Sequence, residues 1–161
     1  MEIVAATPTG NAESDSKYGD RSHVPYGVRY RLPLAGPQMW FAVPMPYTLR
    51  HRDQLLDRLA ADHPGLVRVT TVGQTSHSAT HGYAIRAARI AAHAENPQRE
   101  NVVLIAGEHS GEVAGMYACE GWMEEVLAHR EWLERYAFHF VPIMNVDGVY
   151  YGSSYYNLPE P

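Results

Sequence analysis

Cysteine is almost absent: Cys119 is the only one in 161 residues. A lone cysteine excludes an intrachain disulfide framework and any cysteine-rich zinc site, and it suits a reducing compartment. Long apolar runs are missing too; none approaches the length of a membrane span or a signal-peptide core. There is no basic cluster, and a net charge of −5 gives no support to nucleic-acid binding. No internal repeat or low-complexity tract is visible. What is there is globular: 45% hydrophobic and 19% charged residues, in a length that fits one domain with a real core. The expectation is a soluble cytoplasmic protein with no membrane partner.

The chemistry concentrates in residues 101–112, Asn-Val-Val-Leu-Ile-Ala-Gly-Glu-His-Ser-Gly-Glu. The apolar run 102–106 reads as a central strand buried on both faces of an α/β sheet. It stops at Gly107, and an amphipathic helix over about 112–128 follows, with Val113, Met116, Tyr117, Met123, Val126 and Leu127 on one face. His109 and Glu112 therefore sit where a strand hands over to a helix, at the carboxyl end of the sheet, where open α/β sheets place their sites. A neutral imidazole and a carboxylate suit zinc. The same residues also have a plain structural reading. A Glu in a helix's first turn is favoured by the macrodipole, and a His in such a turn can simply bond backbone.

In chain order, residues 1–27 are expected to form a flexible leader. Residues 28–45 follow as the remnant of an N-terminal β element, with strands near 28–34 and 39–43. Thr48 can cap a helix to about Asp62, with Leu49, Leu55, Leu56 and Leu59 buried. A strand over 66–72, a Ser/Thr/His loop over 73–82 and an antiparallel strand over 83–90 come next. After the central strand and its helix, a short piece at 131–135 leads to a second doubly buried strand over 136–143. Asn145-Val-Asp-Gly148 then reads as a turn. This order implies a mixed β-sheet with flanking helices.

Taken together, these motifs resemble the carboxypeptidase A-type zinc metallocarboxypeptidases. Gly107-Glu-His-Ser-Gly-Glu112 is similar to their first zinc motif, and Val141-Pro-Ile-Met-Asn145-Val-Asp-Gly148 to their Pro-x-x-Asn-Pro-Asp-Gly signature, with Val146 in place of the usual Pro. Val72-Gly-Gln-Thr-Ser76 resembles the Gly-x-Ser loop. The stretch 40–48 resembles the domain junction of the cytosolic-carboxypeptidase-like branch. The likeness covers about residues 39–157, in the family's order.

The resemblance implies a zinc carboxypeptidase-like fold over 46–161, as the N-terminal portion of a catalytic domain. It implies a zinc hydrolase that removes a C-terminal residue from peptides, with His109, Glu112 and a later His as ligands to one Zn2+. A Glu general base and an oxyanion-stabilising Arg belong to the same site. The chain stops at Pro161, before the family supplies the third ligand, the substrate-binding Asn-Arg pair and the general base, so this length alone is expected to be inactive.

Of the other histidines, His139 reads as a satisfied core residue, and His77 and His81 as adventitious ligands at best. Tyr150, Tyr151, Tyr155, Tyr156, Trp122 and Trp132 are expected to leave an exposed apolar patch that supports self-association. An aspartoacylase- or succinylglutamate desuccinylase-like amidohydrolase, and a non-catalytic binding module on the same fold, are the competing readings.

Overall fold

The computed structural model describes residues 2–5, 28–31, 45–92 and 96–153. Residues up to Phe41 and from Ala42 onward form two separate units. In the first, β1 (Glu2–Ala5) pairs antiparallel with β2 (Val28–Arg31), Glu2 opposite Arg31. The start of the stretch read as a leader is therefore a strand. The strand expected at 39–43 and the rings of Tyr155 and Tyr156 lie outside the described residues.

The second unit runs α1 (Leu49–Asp62), β3 (Val67–Gly73), α2 (Ser78–His81), β4 (Ile85–Ile90), β5 (Glu100–Ile105), α3 (Val113–Ala128), α4 (Trp132–Arg135), β6 (Tyr136–Val141) and α5 (Val146–Tyr151). The strands form one mixed sheet in the order β3-β4-β6-β5. Only β5 and β6 are parallel, joined by the crossover through α3 and α4; the other pairs are antiparallel. This is the mixed α/β architecture the element order implies.

Alternation along the strands sorts the side chains by face. Val67, Ala88, Ile90, Phe138 and Phe140, with Val102 and Leu104, pack against Leu55, Leu56 and Leu59 of α1 and Met123, Val126 and Leu127 of α3. Each fully buried side chain of this size contributes about 1.5–3 kcal/mol. The opposite face carries a row in register, Arg68, Arg89, His139 and Val103.

That second face corrects the reading of β5. It is the edge strand of the four rather than a central one, and Val103 and Ile105 are 60% and 55% exposed. The apolar run is genuine, but its outer face is largely open to solvent at Val103 and Ile105. His139 is likewise half-buried rather than core. Its Nε2 meets Asn101 Oδ1 at 2.9 Å, and burial, then Arg89, lowers its pKa.

Two further expectations change in detail. The loop over 73–82 contains the short helix α2, and Asn145–Gly148 is the start of a helix rather than a free turn. Among the described residues no helix is long and apolar enough to cross a membrane.

Candidate metal site

Beyond β5 the chain stays tied to the turn that follows β6. Ala106 N–H donates to Val141 O at 2.9 Å, Met144 N–H to Ala106 O at 2.9 Å and Asn145 N–H to Gly107 O at 2.8 Å. Gly107 has φ 64°, and a Cβ there would come within 3.0 Å of Ile143 Cα and Met116 Cε. Glycine is needed both for the left-handed backbone and for the close approach. The chain turns sharply, and Glu112 N–H closes the turn on His109 O at 3.1 Å.

His109 and Glu112 are brought together: Nδ1 and Oε1 are 3.3 Å apart, with both side chains about half exposed. Glu112 is the N-cap residue of α3, yet its carboxylate makes no capping bond. The side chain is thus turned to His109 and away from the helix backbone. Two donors on one tetrahedral zinc, each at about 2.0–2.1 Å, stand about 3.3–3.4 Å apart. The observed separation fits that edge. Catalytic zinc takes three protein ligands, and among the described residues no group of three His, Cys, Asp or Glu could share an ion. Among the described residues the candidate set is two donors, without a third.

His77 and His81 do not complete it. The His81 side chain is fully buried, with Nε2 2.7 Å from Asp147 Oδ1, while Nδ1 accepts the Tyr83 N–H at 3.0 Å. Because Nδ1 is an acceptor, the proton of neutral His81 sits on Nε2 and is donated to the carboxylate. Thr75 Oγ1 also donates to Asp147 Oδ1, and His77 N–H to Oδ2 at 3.4 Å. Burial pushes the Asp147 carboxyl up, but the donors from Thr75, His81 and His77 outweigh it and hold it below its ordinary value. This network joins the Gly-x-Ser-like loop to Asn145-Val-Asp-Gly148, and sequence reasoning missed it. A His and an Asp 66 positions apart give no local signal.

Each residue of that second motif has a job. Asn145 caps α5, its Oδ1 accepting the Gly148 N–H at 2.8 Å. Val146 is buried and donates its N–H to Met144 O at 3.1 Å, a bond that the proline usual in the resembling family cannot make. Asp147 anchors the loop. Gly148 lies so close to Ser110 that an added Cβ would meet its Oγ at 2.7 Å.

Two other polar groups lie outside this site. His51 of α1 meets Glu120 of α3 at 2.8 Å beside Tyr47, whose phenol stays protonated through burial and the nearby Glu120. Burial, then Glu120, pushes the Cys119 thiol up to about 12, so it is no nucleophile.

The unit is a mixed α/β sheet that carries His-x-x-Glu at the end of a parallel strand. The family model for zinc carboxypeptidases matches residues 53–158, and the chain belongs to that family. Similar solved structures include a protein described as carboxypeptidase A from Shewanella denitrificans (TM-score 0.62, 23% identity), covering 72% of this chain and 30% of that one. A metallo-carboxypeptidase from Burkholderia cenocepacia (TM-score 0.56, 24% identity) covers 68% and 30%. The Pseudomonas aeruginosa metallo-carboxypeptidase, in complex with (2-guanidinoethylmercapto)succinic acid (TM-score 0.56, 25% identity), covers 68% and 28%. The chain thus spans about 30% of the length of these structures. No curated protein matches it. The family match favours the carboxypeptidase reading over the amidohydrolase one.

Proposed function

We propose that this chain carries the first part of the zinc site of a metallocarboxypeptidase that removes C-terminal residues from peptides, with His109 and Glu112 as two of the ligands. The observation that carries the reading is the 3.3 Å separation of their donor atoms at the carboxyl end of β5, within a zinc carboxypeptidase domain. Bound zinc supplies Lewis acidity toward a peptide carbonyl and toward water. The residues of this chain hold the two donors in place. Gly107 makes the sharp turn, Glu112 stands at the N-cap of α3, and the Asn145–Gly148 segment backs the turn through Gly107 O and Ser110. The general base, the oxyanion-stabilising Arg and the third ligand are assigned to sequence beyond this chain. Residues 46–161 are accordingly the N-terminal portion of the catalytic domain, and the lone, buried Cys119 supports a reducing, cytoplasmic setting.

The test is zinc affinity by competition with a chromophoric chelator, for the wild type, His109→Ala and Glu112→Gln. One-to-one binding that weakens by at least about tenfold in each variant is expected from the loss of one ligand. Binding that ignores both substitutions would sink the assignment.

A further inference from the structure

The face of the sheet away from α1 and α3 gathers cations that are scattered along the chain. Arg68 of β3 stands opposite Arg89 of β4, and Arg89 opposite His139 of β6. In an antiparallel pair, like charges directly opposite one another destabilise the ladder. Neither Arg68 nor Arg89 has a carboxylate partner among the described residues, whereas Arg52, Arg58, Arg86 and Arg135 each hold one. The field of Arg89 reaches its neighbour: burial, then Arg89, holds the His139 imidazole toward its neutral form.

Two hollows flank Arg89. One, of about 560 Å³, has Arg89, Arg99, Asn96 and Asn101 in its wall. The other, of about 400 Å³, has Arg89 and Arg68 with the apolar Leu66 and Val67. Among the described residues neither wall contains an acid. Arg99 Nη1 donates to Ala92 O at 3.4 Å, and Ala92 lines the second hollow, so the arginine is tied to the strand end between the two. Asn101 gives its Oδ1 to His139 Nε2 at 2.9 Å, which leaves the amide N–H groups, donors, as what it has to offer. Glu100, between Arg99 and Asn101 in the chain, is taken by Arg135 at 2.9 Å. Each hollow therefore has two guanidiniums in its wall, and Arg89 belongs to both.

We propose that this face binds a diphosphate group, one phosphate in each hollow and Arg89 between them, with Arg99 and Asn101 holding the first and Arg68 the second. The planar guanidinium fork matches phosphate oxygens in pairs. A lone carboxylate, with two oxygens and one charge, is too small a complement for three guanidiniums. Two linked phosphates supply the oxygens and the charge, and they offset the repulsion between Arg68 and Arg89. The site lies toward the start of β5, whereas His109 and Glu112 follow its end, so the inference does not rest on the zinc reading.

The experiment titrates the metal-free chain with pyrophosphate and with orthophosphate by calorimetry, at one low ionic strength. Saturable one-to-one binding of pyrophosphate, at least about tenfold tighter than orthophosphate, is expected, because only the linked pair spans both hollows. Arg89→Gln should weaken pyrophosphate by about tenfold or more and Arg68→Gln several-fold. Arg58→Gln, at a half-exposed position on α1, should leave it unchanged. Melting temperature separates binding from folding. Without anion, Arg68→Gln should melt no lower than wild type, since it relieves a like-charged pair, and pyrophosphate should raise the wild type more than the variant. ATP against tripolyphosphate identifies the source: tighter ATP makes the ligand a nucleotide, otherwise it is a free polyphosphate, and both support the site. No saturable binding, equal affinity for the two phosphates, an equal loss in Arg58→Gln, or a lower melting temperature of anion-free Arg68→Gln would overturn it. His109→Ala should bind pyrophosphate as the wild type does, so failure of the zinc site and failure of this one are separable.

Discussion

Asp147→Ala is the substitution whose effect the structure fixes most tightly. The carboxylate receives three donors: the Thr75 hydroxyl, the His81 Nε2–H at 2.7 Å and the His77 N–H at 3.4 Å. They do not weigh equally. Thr75 Oγ1 also lies 2.9 Å from Ser78 Oγ, so it keeps a partner when the carboxylate goes. The His77 bond is long. His81 has no such recourse: its side chain is fully buried and its other nitrogen is already taken by the Tyr83 N–H. One stranded buried donor costs about 1–3 kcal/mol, and with the weaker losses the variant should fall about 2–4 kcal/mol below wild type near neutral pH. Asp147→Asn keeps an acceptor for His81 and should lose less.

The pH dependence gives a second handle. The Asp147 carboxyl is held below its ordinary value of 3.8, so the folded state favours its ionised form. That contribution is complete above the ordinary value and disappears as pH falls through the lowered one. The gap between wild type and Asp147→Ala, measured by urea denaturation, should therefore narrow on acidification below about pH 4. A neutral-pH difference within about 0.5 kcal/mol, the range of an ordinary surface substitution, would refute the reasoning. So would a gap that stays constant down to acid pH.

Other predictions concern the helix-covered face and the open one. Arg52 is fully buried in α1 and is compensated by Asp53 at 2.9 Å and by Ala84 O, while Arg86 leans on the same Asp53 and on Asp57. Asp53→Ala should cost about 3–5 kcal/mol, because it leaves a buried cation uncompensated, whereas Arg52→Met should cost clearly less. Equal thermal shifts for the two would contradict this. On the open face, Val103 and Ile105 stand on a strand whose outer edge has no partner among the described residues. The wild type should self-associate in sedimentation, and Ile105→Lys should shift it toward monomer. A wild type that sediments as a clean monomer would remove that edge as the cause.

Much of the fold was legible because hydrophobic period and caps report local structure. Thr48 caps α1 and Leu55, Leu56 and Leu59 are buried as the spacing implies; Met116, Met123, Val126 and Leu127 are buried on α3. What local pattern cannot carry is strand order. The run 102–106 looks the same at the centre of a sheet as at an edge, and only the pairing of β5 with β6 alone shows which it is. Buried polar pairs escaped for a related reason. His81 with Asp147, and His51 with Glu120, join residues far apart in sequence whose types are unremarkable singly. The exposed rings of Trp122, Tyr150 and Tyr151 were expected, but Trp132 is half-buried and stacks on His129 at 4.6 Å.

The same distinction bears on how His109 and Glu112 should be weighed. From sequence, a glutamate opening a helix is accounted for by the macrodipole, and that explanation expects its carboxylate to sit on the free N–H groups of the first turn. Glu112 occupies the N-cap position and makes no such bond; its oxygen faces His109. Nor is the pairing an accident of a loose loop. Gly107 adopts a backbone that other residues resist, packed against Ile143 and Met116, and its carbonyl is held by Asn145. The constrained turn thus holds an imidazole and a carboxylate side by side, Nδ1 and Oε1 3.3 Å apart, a separation compatible with two donors on one ion.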